Sequence, residues 1–128
     1  MSTAGPLPRP DARVALAAVL DVILVIAFTG IGRRTHEEGL DLAGWAHTAW
    51  PFLVGLAFGW VLVLLTRRTW PTGWRAGVPV WLATVIVGML LRALSGQGTA
   101  LPFVIVATLF LCATLVGWRV VAGLLNRA

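Results

Sequence analysis

Two groups of residues in this 128-residue chain are of types and spacing that could do chemistry. The first is centred on Asp21, an acid inside an apolar run, with Arg119 and Arg92 as the cations that could meet it. A carboxyl group in an apolar medium must be neutral, paired or open to a wet cavity. Such groups either bind a proton or cation along a solute path or lock neighbouring helices together. The second group gathers near one span mouth: Arg33, Arg34, His36, His47 and Arg92, with Glu37, Glu38 and Thr48 among them. Histidine, arginine and carboxylate together could hold an anion or take up protons at about pH 6 to 7. Solvated loop charge is the plain alternative. His36 and His47 lie eleven residues apart, without His-Glu-x-x-His spacing, so no metal is expected.

The medium follows from composition. The chain is 59% hydrophobic and 12% charged, too little polar surface for a soluble domain of this size. Its mean hydropathy is +0.89. From Val14 to Ile31 there are eleven Val, Leu, Ile or Phe residues, each favouring insertion by about 0.3 to 0.6 kcal/mol. Asp21 opposes insertion by about 2.5 to 3.5 kcal/mol at a helix centre, so the run still enters the membrane. Its carboxylate lies roughly 12 Å deep at about 1.5 Å per residue, beyond the reach of so short a side chain to water.

Four spans are expected, at about 13–32, 44–66, 75–94 and 101–124, each near the ~20 residues that cross a hydrocarbon core. The fold class is therefore all-α, an integral membrane four-helix bundle. Residues 1–11, with Gly5, Pro6, Pro8 and Pro10, form a flexible lead that cannot hold a helix. No small-x-small cleavage site follows the first run, so a retained span is expected rather than a signal peptide.

Arginines set the orientation. Arg9, Arg13, Arg67, Arg68, Arg75, Arg119 and Arg127 fall on the side with both termini, against Arg33, Arg34 and Arg92 on the other. The positive-inside bias makes the first side cytoplasmic and turns Glu37, Glu38 and Asp41 outward. Depth then selects a partner for Asp21. Arg119 lies within about 5 Å of it along the membrane normal, whereas Arg92 is about 13 Å further out, which favours Arg119. A pair of this kind specifies an arrangement more than it stabilises one.

The seven tryptophans are expected as membrane anchors at headgroup level, with Trp60 somewhat deeper. Gly55 to Gly59 and Ala113 to Gly117 are small-xxx-small patterns, suited to packing within the bundle or to a homodimer. Cys112 stands alone in an apolar run, so neither a disulfide nor a redox pair can form within the chain. The net charge of +5 reflects arginines at span ends, with no basic face interleaved with aromatics, so nucleic acid is not an expected partner. No nucleophile elbow, Walker loop, Rossmann glycine pattern or haem motif is present, and neither an enzyme nor a cofactor is expected.

Spans two and four both carry Pro-Phe near their start, Pro51-Phe52 and Pro102-Phe103, and an arginine seventeen residues after each proline, Arg68 and Arg119. Two tandem hairpins related about the membrane normal would produce this pattern, as would chance likeness between apolar helices. With Asp21, Gly32-Arg33-Arg34-Thr35-His36, Pro51-Phe52, Gly88 to Arg92, Pro102-Phe103 and Trp118-Arg119 in place, the chain resembles a family of small prokaryotic four-span membrane proteins catalogued as a domain of unknown function. That resemblance covers nearly the whole chain, implies four transmembrane helices and supplies no activity. The expected function is movement or sensing of a small solute or proton in the cell membrane. The rival expectation is an accessory subunit of a larger membrane complex.

Overall fold

The computed structural model describes residues 5–35 and 41–127, without the side chains of Arg34 and Thr35. Four helices make up the fold: α1 (Ala12–Thr35), α2 (Leu42–Arg67), α3 (Trp74–Leu94) and α4 (Leu101–Leu125). Each is long and apolar enough to cross a membrane, and no strand occurs among the described residues. The protein is a multi-pass membrane protein.

Helix ends extend one to three residues past most of the expected bounds, and polar side chains cap the starts of α1 and α2. The Asp11 carboxylate accepts from the Val14 amide at 3.2 Å, and that of Asp41 accepts from the Gly44 amide at 2.9 Å. Such caps satisfy amides that have no partner in a helix's first turn. Asp41, expected only as an outward charge, thereby starts α2. Residues 5–11 form no helix, and they are held against the α2–α3 turn. Trp70 Nε1 donates to the Pro8 carbonyl at 2.8 Å, and Arg68 Nη2 donates to the Gly5 carbonyl.

Two prolines sit inside helices, Pro51 in α2 and Pro79 in α3. Neither has an N–H to give the carbonyl four residues earlier. Both carbonyls receive a donor from elsewhere instead. Gln97 Nε2, from the α3–α4 turn, reaches the His47 carbonyl at 3.1 Å, and Arg67 Nη1 reaches the Arg75 carbonyl at 3.3 Å. These donors take the place of the N–H that each proline lacks.

The α2–α3 contact is the tightest in the bundle. A Cβ on Gly55 would stand 2.9 Å from the Thr84 carbonyl oxygen, and one on Gly59 would stand 3.0 Å from Val80 Cα. The first small-xxx-small pattern therefore serves packing within the chain. On the second, Ala113 is exposed and Gly117 faces open space. At the middle of the bundle, Phe28 lies 5.5 Å from Phe52, 5.9 Å from Phe103 and 5.4 Å from Phe110, ring centre to ring centre.

The two Pro-Phe landmarks occupy different places. Pro51 is the tenth residue of α2, while Pro102 lies in the first turn of α4. Their paired arginines differ as well, since Arg68 is an exposed residue with φ 57° and Arg119 is buried.

One irregularity positions the chemistry. Within α4, Cys112–Val116 form a π turn. Ala107, Leu111, Leu115 and Arg119 are all buried and follow one another at intervals of four. In an ideal α-helix that spacing drifts by about 40° per step, roughly 120° over three steps. The one residue that a π turn adds absorbs about 100° of it, which keeps Arg119 on the inward face.

Candidate functional site

Asp21 is fully buried, and four donors surround its carboxylate. Oδ1 accepts from Trp118 Nε1 at 2.8 Å and Arg119 Nη1 at 3.0 Å. Oδ2 accepts from Trp60 Nε1 at 2.9 Å and Arg119 Nη2 at 2.7 Å. The guanidinium therefore grips the carboxylate with two parallel bonds, the strongest geometry for this pair.

Arg119 is saturated too. Its Nη1 also donates to the Leu115 carbonyl at 2.9 Å, while Nε and Nη2 donate to the Pro71 carbonyl at 3.0 and 2.8 Å. All five guanidinium hydrogens thus have acceptors. A Cβ on Gly77 would come within 2.9 Å of Arg119 Cδ, so the glycine on α3 makes room for the arginine's stem. Asp21 from α1, Trp60 from α2, Gly77 from α3 and Arg119 from α4 make this a clasp joining all four spans. Both charged side chains have 0% exposure.

Arg92, the other cation considered for Asp21, lies elsewhere. It sits at the last turn of α3, where Nε donates to the Gly98 carbonyl and Nη1 to Gln97 Oε1, both at 2.9 Å. Its guanidinium carbon stands 4.4 Å above the Phe103 ring centre. The depth difference read from the sequence is the reason. On α1 the clasp and the opposite mouth are separated by the run from Asp21 to Thr29, about 12 Å of helix.

At that mouth is a cavity of about 430 Å³, lined by Thr29, Arg33, His47, Thr48, Arg92, Gln97 and Phe103 among others. Arg33 is buried, with Nη1 donating to Thr48 Oγ1 at 2.9 Å and Nη2 lying 3.6 Å from Asp41 Oδ1. Trp45 Nε1 donates to Thr29 Oγ1 at 3.0 Å. The structure brings Arg33, His47 and Arg92 to one cavity. The Arg34 side chain and His36 lie outside the described residues. Beneath the cavity the phenylalanine rings, with fully buried Val25, form an apolar layer between it and the clasp. Among the described residues no three His, Cys, Asp or Glu side chains gather as metal ligands would.

A model of the family described as a protein of unknown function, DUF3054, matches residues 18–122. The chain belongs to the DUF3054 family. The match runs from just before Asp21 to just after Arg119, so it takes in both halves of the clasp and every residue lining the large cavity. No curated protein and no solved structure matches the chain.

Several site residues of this DUF3054 chain are not evident from its sequence. Trp60 and Trp118 are donors to Asp21, not simply headgroup anchors. An indole at either boundary or depth looks the same in a linear reading. One sign of their role is present, since both lie at depths near that of Asp21. Trp45, Trp70 and Trp81 also donate within the chain, Trp81 to the Thr108 carbonyl at 2.9 Å. Pro71 enters through its backbone carbonyl, which leaves no trace in residue type. Gln97 looks in the sequence like part of a short turn, and its role arises only because Pro51 removes a donor in another helix.

Proposed function

We propose that this protein recognises a small anionic solute at the cavity between the span ends, as the binding step of sensing or uptake across the cell membrane. The observation that carries the reading is the lining itself: Arg33, His47 and Arg92 converge on one cavity, with Asp41 Oδ1 3.6 Å from Arg33 Nη2. Thr29 and Thr48 hydroxyls stand among them, and low-dielectric walls strengthen the field of charges placed this way. The Asp21–Arg119 pair, saturated and closed, holds the helices that form the cavity and is not its ligand site. The arginine-rich end with both termini faces the cytoplasm by the positive-inside bias, which puts the cavity on the outer face.

The test is thermal unfolding of purified protein in neutral-lipid nanodiscs, titrated with chloride, phosphate and acetate at constant ionic strength. A bound anion stabilises by RT ln(1 + [L]/Kd), about 2.7 kcal/mol at a hundredfold excess over Kd. Stabilisation by one anion class that disappears in Arg33→Gln and His47→Gln supports the proposal. Equal response to all salts, or retention of the effect in both variants, sinks it.

One observation favours the accessory-subunit reading as a second possibility. Only 17% of the most apolar window of α4 is buried, against 33 to 39% for the other helices. Purification in mild detergent separates the two readings: a stoichiometric larger partner on α4 supports the subunit role.

A further inference from the structure

At the opposite end of the bundle, α3 begins and α4 finishes side by side, and between them lies a second cavity of about 290 Å³. Trp74, Val120, Gly123, Leu124 and Arg127 line it. Its walls differ in kind. Val120 and Leu124 are exposed apolar side chains, and a Cβ on Gly123 would meet nothing within 4 Å, so an open apolar channel runs along this face. Above the channel, Trp74 is about half exposed, with the Arg75 guanidinium carbon 5.6 Å from its ring centre, and Arg127 closes the polar side.

Charge at this end is one-sided. Arg9, Arg13, Arg67, Arg68, Arg75 and Arg127 belong to it, and Asp11 is its one exposed acid among the described residues, already engaged in capping α1. Arg67 and Arg68 are engaged with the Arg75 and Gly5 carbonyls. Arg127 lines the channel and Arg75 stands at its rim, over the Trp74 ring, and their side chains make no hydrogen bond or ion pair to another described residue.

We infer that this groove is a binding site for an anionic phospholipid, its phosphate between Arg75 and Arg127 and one acyl chain along Val120, Gly123 and Leu124. Guanidinium and phosphate match in geometry, an indole suits the headgroup boundary, and the channel continues into hydrocarbon depth, where a soluble anion gains nothing. Basic pockets between spans select anionic headgroups for the same reason. The site lies at the other end of the molecule from the solute cavity and stands independently of it.

Native mass spectrometry of the detergent-purified chain, titrated with phosphatidylglycerol and with phosphatidylcholine, tests it. Wild type retains the anionic lipid preferentially, and Arg127→Gln lowers that retention about fivefold, the effect of one cation near a headgroup. Arg75→Gln with Arg127→Gln removes the preference, while Arg13→Gln, a charge change outside the groove, leaves it intact. Equal retention of both lipids overturns the inference. So does an equal loss in Arg13→Gln, which would mean diffuse attraction. A second copy or another helix seated in the groove, or inorganic phosphate displacing the lipid at millimolar concentration, likewise overturns it.

Discussion

Replacing Asp21 by asparagine preserves volume and removes the charge, and the donors around it set the consequence. All four contacts to the carboxylate come from donors, Trp60 Nε1, Trp118 Nε1 and two guanidinium nitrogens. Whichever way the amide turns, its NH2 faces one indole N–H and one guanidinium N–H, and two bonds are lost. At about 0.6 kcal/mol per hydrogen bond between spans, that loss alone amounts to roughly 1.2 kcal/mol. The larger effect is electrostatic: Arg119 is left without its counter-charge at 0% exposure, and breaking a buried pair costs about 3 to 5 kcal/mol. The second effect dominates, so Asp21→Asn is expected to lower the folding constant by roughly two to three and a half powers of ten. Unfolding in mixed micelles with sodium dodecyl sulfate, followed by tryptophan fluorescence, measures it, since two indoles touch the substituted group. Asp21→Leu with Arg119→Met removes both charges and is expected to destabilise less than Asp21→Leu alone. A loss below about 1 kcal/mol for Asp21→Asn, or a double variant equal to the sum of its singles, would refute the electrostatic reasoning.

Other expectations come from the packing. Gly55→Ala forces a Cβ to 2.9 Å from a backbone oxygen of α3 and should cost about 1 to 3 kcal/mol, whereas Gly117→Ala meets nothing within 4 Å and should be neutral or stabilising. Equal unfolding midpoints for the two would contradict the α2–α3 contact. Gln97→Leu leaves the His47 carbonyl without its side-chain donor, at about 0.5 to 1.5 kcal/mol, and also removes the acceptor of Arg92 Nη1; in a Pro51→Ala background, where the helix supplies an N–H, only the Arg92 part of the loss should remain. A double-mutant cycle showing no coupling between positions 51 and 97 would count against that account. Gly77→Ala should displace the Arg119 stem and reproduce part of the Asp21→Asn loss, read in the same micelle assay.

Membrane residence, four helices and their approximate extents were legible in the sequence because insertion depends on additive, local quantities: residue hydrophobicity and the length of a run against a fixed bilayer thickness. Depth is also linear in residue number along a helix, so residue number alone puts Arg119 near Asp21 and Arg92 away from it. Rotation about the helix axis is not linear in the same way. The π turn at Cys112–Val116 turns Trp118 and Arg119 inward, and no proline or glycine pair marks it within that stretch. Likewise, the donors to the His47 and Arg75 carbonyls come from residues 50 and 8 positions away, set by how the chain folds back and not by residue type. The amino-acid order thus determined which groups lie at which depth in the bilayer. Tertiary packing decided which of them face one another, because a contact between spans requires depth and azimuth together.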